Sequence, residues 1–499
     1  MREREVKLSP APGFRVPDLN GIADGVTAEP AEPLQQQASY FDTPDLRLAR
    51  AGASLRYRDD EGWMVKLPVP RAREQGGDGL VRDEHRFEGA PGSPPTAAVE
   101  LVLGMLRTAS VQIVSRIRTL RRRVELTGSD GIRLAEVVDD EVSVLDGRHV
   151  AARFRQIEVE WFDESAGAVA DAIVSTLRDA GAGDPDPIPK IGRALGPRAL
   201  DPPDVLPAPD LGDAPNAGDV VRAALGASVA RLIEHDPGVR VGDDTEAVHQ
   251  ARVATRRLRS DLRTFRELVD REWADSIRDE LKWLGERLGA VRDADVLLER
   301  LGYEADLLPD EDRETARKLL GRLEDDRSDA RAELLDAMRG RRYLVLLDRL
   351  VDAAREPVLV GASAEPAATV LPEVVRHPWE RLSEAVDELG DDPPDDALHD
   401  VRKRAKRVRY AAEAAATAIG KPARRFAKAV TGVQDVLGEH QDAVVAEAWL
   451  RRALAQASPA ETFVLGQLAA MERRRGEEAR RAWPDAWREA GRKRLRAWL

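Results

Sequence analysis

The chain has 499 residues, of which 42% are hydrophobic and 33% charged, a balance typical of a globular protein with two or three domains. It contains no cysteine, which excludes disulfide frameworks and thiolate metal sites, and it has no apolar run long enough to cross a membrane. The net charge of −13 opposes bulk attraction to nucleic acid, so any basic site must be local. The amino terminus MREREVKL lacks the apolar core of a secretory signal, and we expect a cytoplasmic protein.

Short alternating segments fill the first 200 residues. Strands are predicted for EREVKL, ASLRYRD, GWMVKLP, VRDEHRFE, RLAEVVDDEVSV and FRQIEVEW, and one helix is predicted at about 165–180. In the first strand, Glu3, Glu5 and Lys7 share one face, whereas Val6 and Leu8 take the other. Because several strands carry charge on one face in this way, one arrangement that satisfies the pattern is a barrel or tunnel with a charged lumen.

Lysine is rare in this half of the chain, where arginine supplies nearly all the positive charge. The three lysines are Lys7 on the first strand, Lys66 in MVKLP and Lys190 in IPKIGRAL. The compact ammonium group of lysine is a natural contact for phosphate. The plainer alternative is that the three lysines are scattered, and that a lone E-x-E-x-K marks only an exposed strand face.

The motifs ExExK, YFDTPD, SLRYR, MVKLP, AEVVDD, IEVE and KIGRAL, in this order over about 1–200, resemble the CYTH domain of the triphosphate tunnel metalloenzymes. The resemblance implies an antiparallel barrel that hydrolyses a linear triphosphate with Mg²⁺ or Mn²⁺, with Glu3, Glu5 and Lys7 as catalytic residues. The implied metal ligands are Glu3, Glu5, Glu158 and Glu160, with Glu136 or Asp139 as a further ligand. The implied phosphate contacts, besides Lys7, are Arg56, Arg58, Lys66, Arg116 or Arg118, and Lys190.

Two features bear on the substrate of such a tunnel. The family has a serine where this chain has Pro189, so a hydroxyl contact to phosphate is lost at that end. The aromatic content is only 4%, which offers no obvious platform for stacking a base. Inorganic tripolyphosphate is therefore favoured over a nucleotide.

Residues 196–217, GPRALDPPDVLPAPDLGDAPNA, show no sustained periodicity and predict an extended linker. We divide the chain into a first domain at 1–200, a linker at 201–217 and a helical domain at 218–499. Apolar residues at three- and four-residue spacing predict helices at 218–235, 244–269, 273–300, 309–340, 370–389, 395–418, 421–453 and 457–495. The fold class is thus α+β multidomain.

The helical domain contains an internal repeat. HQARVATRRLR at 249–259 recurs as HDVRKRAKRVR at 399–409, and LGAVRDADV at 288–296 is echoed by LGEHQDAVV at 437–445. A loop near 356–369 separates the two copies, which cover about 218–355 and 370–499. Two matched landmarks predict a duplicated helical bundle with a pseudo-twofold relation between its copies.

Each repeated helix carries a cationic stripe opposite its apolar face. At 100° per residue, the first stripe contains His249, Arg252, Arg256, Arg259 and Arg263. The second stripe contains His399, Arg402, Lys406 and Arg409, with Glu413 at the position that matches Arg263. A solvated face normally mixes charges, so these self-repelling stripes favour a missing anion over an ordinary surface. His399 and Asp400 could suggest a metal site, but the neighbouring Arg402 and Lys406 would repel a cation.

Paired HxxRxxx(R/K)RxR helices, each followed by an LG…D element, resemble the CHAD domain over roughly 218–499. The resemblance implies an all-helical duplicated fold that binds inorganic polyphosphate through both stripes, and it extends the expected location to polyphosphate granules. We therefore expect polyphosphate and a triphosphate as partners, and no membrane. Nucleic-acid binding is the weaker alternative because no aromatic residues interleave the stripes. The competing function is a polyphosphate-binding protein without catalytic activity.

Overall fold

The computed structural model describes residues 2–69, 80–186, 188–205 and 210–499, apart from the side chains of residues 2, 3, 80 and 164. The chain divides into two compact units, Met1–Asp204 and Val205–Leu499. This boundary falls inside the predicted linker at 201–217. None of the described helices combines the length and the apolar character that crossing a membrane would require.

The first unit is an antiparallel barrel, as the sequence predicted. Its strands are β1 Arg2–Leu8, β2 Thr27–Pro30, β3 Leu34–Asp42, β4 Ser54–Arg58, β5 Gly62–Pro68, β6 Leu80–Phe87, β7 Gln112–Thr127, β8 Arg133–Asp146 and β9 His149–Trp161. Eight of them follow the order β7-β3-β4-β5-β6-β1-β9-β8, and β8 pairs with β7 to close the ring. Strand β2 pairs with the last residues of β7, beyond the end of β3. The six predicted strands do not include β2, β3 or β7.

Strand alternation separates a charged lumen from an apolar outer face. Five short helices lie outside the strands: α1 Arg47–Arg50, α2 Thr96–Leu101, α3 Leu103–Leu106, α4 Gly167–Asp179 and α5 Lys190–Leu195. Helix α4 covers the outer face, where Ile173 and Leu177 join a buried cluster with Val6 and Val159. Helix α5 packs at one end of the barrel, because Ile191 joins a small cluster with inward-facing side chains of β3, β7 and β8.

In the described part of the second unit, the regular elements are helices, joined by loops that form two isolated β-bridges. Its helices are α6 Ala217–Val241, α7 Thr245–Thr264, α8 Arg271–Asp306, α9 Asp310–Arg339, α10 Arg341–Arg355, α11 Ala367–Asp387, α12 Asp395–Ile419, α13 Lys421–Ala453 and α14 Pro459–Ala490. The two stripe helices, α7 and α12, pack against each other. Helix α10 was not predicted, although its leucines make it strongly amphipathic.

One large apolar core runs through both copies of the repeat. The carboxy-terminal segment packs onto this core, since Trp487 stacks on Trp379 at 5.1 Å between ring centroids and Trp498 lies edge-on to Phe426. A second, smaller core forms where the later turns of α8 and α13 meet α9 and α14. The carboxy-terminal helix therefore belongs to the bundle of its own chain.

A charged cluster joins α7 to α12 beneath the surface. Arg257 on α7 contacts Glu413 on α12, which also accepts a hydrogen bond from Arg409 at 3.1 Å. Asp261 is fully buried, and the closest cationic atom recorded for it is Nε of Arg257, 3.4 Å from Oδ1. Burial raises the pKa of Asp261 to about 7, against the attraction of Arg257. The helical unit thus has at its centre a carboxylic acid that is hard to ionise.

Removing this acid is expected to stabilise the protein at high pH. The folded-state pKa lies above the unfolded one, so stability is lost as pH rises from about 4 to about 7. Asp261→Asn should raise the free energy of unfolding at pH 8 by up to about 4 kcal/mol and change it little at pH 4. Urea unfolding followed by circular dichroism measures both values. The exposed Asp352→Asn is the matched control, and an equal response of the two variants would contradict the assignment.

Candidate functional sites

The barrel encloses a cavity of about 300 Å³ with a strong excess of positive charge. Among the described residues, eleven cationic and seven acidic side chains line it, a difference of four. The cationic ones are Arg4, Lys7, Arg56, Arg58, Lys66, Arg82, Arg86, Arg121, Arg123, Arg133 and Lys190. The acidic ones are Glu5, Asp60, Glu61, Glu84, Glu136, Glu158 and Glu160. A local surplus of this size, in a chain of net charge −13, is suited to a compact polyanion.

Three carboxylates form a candidate metal site on two neighbouring strands. Glu5, Glu158 and Glu160 each offer an oxygen, and these atoms lie within 4.8 Å of one another. The strand register explains the cluster, since Glu5 pairs with Glu160 and Lys7 pairs with Glu158. Oε1 of Glu5 is buried and accepts no hydrogen bond from the described residues. An all-oxygen donor set with a spare lone pair fits a hard divalent cation such as Mg²⁺ or Mn²⁺.

Of the other predicted ligands, Glu136 and Asp139 are not part of this group, and the structure does not describe the side chain of Glu3. The backbone of Glu3 pairs with Arg82, but its side chain lies outside the described residues. Glu136 lines the cavity from β8, where it contacts Arg133, and burial raises its pKa. Asp139 does not line the cavity, because it lies an odd number of residues from Glu136 and so takes the outer face of β8. There it accepts two hydrogen bonds from Arg155, at 2.7 and 2.8 Å.

Glu158 is the centre of a buried ion cluster. Its Oε1 accepts a hydrogen bond from Lys7 at 2.8 Å, and its Oε2 lies 3.1 Å from Lys190 and 3.4 Å from Arg121. Burial alone would raise the pKa of Glu158, but Lys190, Lys7 and Arg121 together hold it well below the usual range. Lys7 in turn contacts Glu5, and the pKa of Lys7 is raised because these carboxylates outweigh the effect of burial.

The sequence missed Asp140, which anchors two cations of this cluster. Asp140 is fully buried, accepts hydrogen bonds from Arg121 at 3.0 and 2.7 Å, and contacts Lys190. Burial would raise the pKa of Asp140, but Lys190 and Arg121 lower it overall. Its parity with Glu136 was the available signal, since residues four apart on one strand share a face.

The remaining phosphate candidates separate into two groups. Arg56, Arg58 and Lys66 line the cavity, where they pair with Glu61, Asp60 and Glu84 at 3.0, 2.6 and 2.6 Å. Arg116 and Arg118 are exposed on the outer face of β7 and do not line the cavity. The inward cations of β7 are Arg121 and Arg123. The expectation for Arg116 and Arg118 took the wrong parity along a strand of 16 residues.

In the helical unit, the LG…D elements contact the stripes in both copies. Nη1 of Arg252 lies 2.6 Å from Asp293, and Nη2 of Arg402 lies 3.9 Å from Asp442. A Cβ on Gly289 would stand 3.7 Å from the Arg252 guanidinium, and one on Gly438 would stand 3.5 Å from that of Arg402. Each guanidinium therefore lies along the glycine surface of the next helix, with an aspartate holding one side.

The stripes are electrostatically crowded where α7 and α12 meet. Burial lowers the pKa of Lys406 to about 7, and the charges of Arg402 and Arg256 contribute to the shift. The Nε atoms of four stripe arginines are buried and donate no hydrogen bond to the described residues; they belong to Arg256, Arg259, Arg402 and Arg409. Donors of this kind, crowded among like charges, are available to hydrogen-bond an anion.

The histidines lie at the start of each stripe, and Arg263 lies at the far end of the first. Burial lowers the pKa of His249, with a further effect of Arg292. Burial and the charge of Lys403 do the same for His399. Arg263 is exposed, whereas its counterpart Glu413 is occupied by Arg257 and Arg409. The two stripes are therefore equivalent over most of their length and differ at this end.

Family models match two separate parts of the chain. Residues 1–189 match the CYTH domain, and residues 223–451 match the CHAD domain. The uncharacterized protein Rv2226 of Mycobacterium tuberculosis is 33% identical over 490 residues, covering 93% of this chain and 91% of that protein. A protein from a second strain of that organism matches equally well.

Three solved structures are similar to part of this chain. PptA from Streptomyces chartreusis is 26% identical and covers 55% of this chain and 99% of its own, with a TM-score of 0.47. The CHAD domain from the plant Ricinus communis is 28% identical and covers 56% and 94%, with a TM-score of 0.45. A putative adenylyl cyclase from Hippeastrum, described as having a dominant triphosphatase activity, is 15% identical and covers 38% and 94%, with a TM-score of 0.23.

The role of Asp140 as an anchor predicts a large stability effect. Asp140→Asn removes one of the two buried carboxylates that Arg121 and Lys190 contact, Glu158 being the other, and should reduce barrel stability by about 3 kcal/mol at pH 7. Because the pKa of Asp140 is lowered, this difference should shrink as pH falls below the pKa of an unfolded aspartate. Hydrogen exchange of β7 and β8, measured by mass spectrometry, reports on the barrel alone. The partly exposed pair of Asp139 provides the control, since Asp139→Asn should cost about 1 kcal/mol.

Proposed function

Because the chain belongs to the family of two-domain CYTH–CHAD proteins, we propose that its barrel hydrolyses a linear triphosphate and that its helical unit binds inorganic polyphosphate. The CYTH family is associated with metal-dependent cleavage of phosphoanhydride bonds. The observation that carries the proposal here is the tunnel itself, which combines a surplus of four cationic side chains with three carboxylates grouped at one place. Inorganic tripolyphosphate is the favoured substrate.

Phosphate binding is assigned to the cations of the lumen. Arg56, Arg58 and Lys66 extend along β4 and β5, while Lys7 and Lys190 lie beside the carboxylate group. Nonbridging oxygens of a linear triphosphate would accept hydrogen bonds from these side chains in place of their present carboxylate partners. Helix α5, packed at one end of the barrel, supports a short substrate chain over a long one.

Hydrolysis needs charge stabilisation and a proton acceptor rather than a protein nucleophile. Glu5, Glu158 and Glu160 would hold the divalent cation, which when bound polarises a phosphoryl group. Glu136 is the candidate general base, because its Oε1 is buried without a hydrogen bond from the described residues and burial raises its pKa. Lysine and arginine charges around the cleaved bond stabilise the departing phosphate.

Polyphosphate binding is assigned to the paired stripes. The side chains involved are His249, Arg252, Arg256, Arg259, Arg263, His399, Arg402, Lys406 and Arg409. A repeating anion can satisfy a row of donors simultaneously and can neutralise charges that now repel one another across α7 and α12. Nucleic acid offers the same phosphates, but among the described residues these stripes include no aromatic side chain on which bases could stack.

The metal assignment is tested by removing one ligand at a time. Glu5→Gln or Glu160→Gln should reduce phosphate release from tripolyphosphate by about 100-fold or more, and chelation should abolish it. Malachite-green assays on the full chain with Mg²⁺ and with Mn²⁺ measure the release. Glu141→Gln, on an exposed residue of β8, is the matched control. Unchanged release in the ligand variants would refute the assignment, and no release by the wild type would favour the non-catalytic binding protein.

The helical site should bind polyphosphate more weakly as pH rises. Lys406 has a pKa of about 7 in the free protein, and only its protonated form attracts an anion. Between pH 6.5 and 8.5 this residue should contribute a loss of affinity of up to about tenfold per pH unit. Lys406→Arg should flatten the dependence, whereas Lys403→Arg, at an exposed position, should leave it unchanged. Fluorescence anisotropy with labelled polyphosphate at constant ionic strength measures the affinities, and identical slopes for all three proteins would contradict the prediction.

A further inference from the structure

Two of the three carboxylates assigned to the metal, Glu5 and Glu158, are already in contact with cations of the same chain. Both oxygens of Glu158 are engaged, one by Lys7 at 2.8 Å and the other by Lys190 at 3.1 Å and Arg121 at 3.4 Å. Lys7 also contacts Glu5, so it bridges two of the three candidate ligands. The site can reach its full affinity for a divalent cation only after these ammonium groups have moved away from the carboxylates.

The charge balance of the cluster opposes binding of the metal alone. Among the described residues, three cations, Lys7, Lys190 and Arg121, lie within 3.4 Å of this group of four carboxylates, which belong to Glu5, Asp140, Glu158 and Glu160. Arg82 lies somewhat farther away, 3.9 Å from Glu5. A divalent cation added to this buried group would meet three positive charges within a few ångströms, at a dielectric far below that of water. A triphosphate added alone would meet the carboxylates. Adding both places opposite charges next to each other and relieves both repulsions.

The three cations differ in how firmly they are held. Asp140 fixes Arg121 through two hydrogen bonds, at 3.0 and 2.7 Å, whereas it holds Lys190 through a single ammonium contact. Lys7 and Lys190 end in single ammonium groups on flexible stems, which can turn from a carboxylate to a phosphate oxygen. Both line the cavity. They are therefore the groups able to exchange partners when a substrate enters.

We propose that Lys7 and Lys190 act as an exchangeable gate, so that triphosphate and divalent metal bind cooperatively: the phosphate draws the two ammonium groups off Glu158 and Glu5 and thereby frees the metal ligands. The inference rests on the proposed function of the barrel and adds a coupling between its metal site and its phosphate site. By thermodynamic reciprocity the metal also strengthens phosphate binding by the same factor. Lys7 and Lys190 are then positioning residues for the metal as well as contacts for the substrate.

The test measures Mn²⁺ binding rather than turnover. Electron paramagnetic resonance of the full chain counts free Mn²⁺, with and without saturating tripolyphosphate analogue whose bridging oxygens are replaced by imido groups. A protein-free titration corrects for Mn²⁺ held by the analogue. We expect the analogue to tighten Mn²⁺ binding by about 5- to 100-fold, the range usual for coupled sites.

Variants identify the residues responsible. Lys190→Gln removes a charge next to Glu158 and should tighten Mn²⁺ binding without the analogue by about tenfold, while reducing the coupling. Lys66→Gln also removes one cation from the tunnel, but its partner is Glu84, which is outside the metal group. This control should weaken analogue binding and leave Mn²⁺ binding without the analogue within about twofold of the wild type.

The outcomes separate the inference from the function on which it rests. A wild type that binds both Mn²⁺ and the analogue with no coupling overturns the gate and leaves a triphosphate-binding metal site. Equal Mn²⁺ affinities for Lys190→Gln, Lys66→Gln and the wild type also overturn it. A wild type that binds neither probe overturns the proposed function of the barrel, and the gate with it.

Discussion

Ion pairing inside a closed barrel is the constraint on which the first unit depends. A lumen lined by charged side chains is stable only where each charge faces an opposite charge or remains in contact with water. The structure meets this condition by placing acids and bases on neighbouring strands at matched register, as with Lys7 opposite Glu158 and Lys66 opposite Glu84. Under the proposed function, the same pairs that stabilise the barrel would also govern its chemistry, because a polyanion and a metal would bind by replacing them.

Period-two alternation made much of this barrel predictable. It placed Glu5, Lys7, Glu158 and Glu160 in one lumen because each lies in a short segment whose inward face is evident from its apolar neighbours. It failed along β7 and β8, where 16 and 14 residues run past both the lumen and the outer surface. The choice between Asp139 and Asp140 could have been made from their parity with Glu136. The choice between Arg118 and Arg121 depends on which residues pair across strands, and a single sequence does not contain that register.

The helical unit was predictable for a different reason, since a repeat supplies its own comparison. Two copies of one motif showed which positions matter without any other sequence, and the glycine and aspartate of LG…D proved to contact the stripe arginines in both copies. The sequence did not show the crowding that lowers the pKa of Lys406. That shift depends on the crossing of α7 and α12, which brings Arg256 close to Lys406, and helical periodicity within one segment carries no information on such a crossing.

The second stripe has Glu413 where the first has Arg263. This difference affects the direction in which a polymer could lie along the stripes. A linear polyphosphate reads identically from either end, so two identical stripes related by a twofold axis would hold it in two equivalent registers. Glu413, fixed by Arg257 and Arg409, makes one end of the paired surface electrically different from the other. The two ends of a polyphosphate segment bound across both stripes would then lie in different electrostatic surroundings. The protein would thus give the bound segment a direction that the polymer itself lacks.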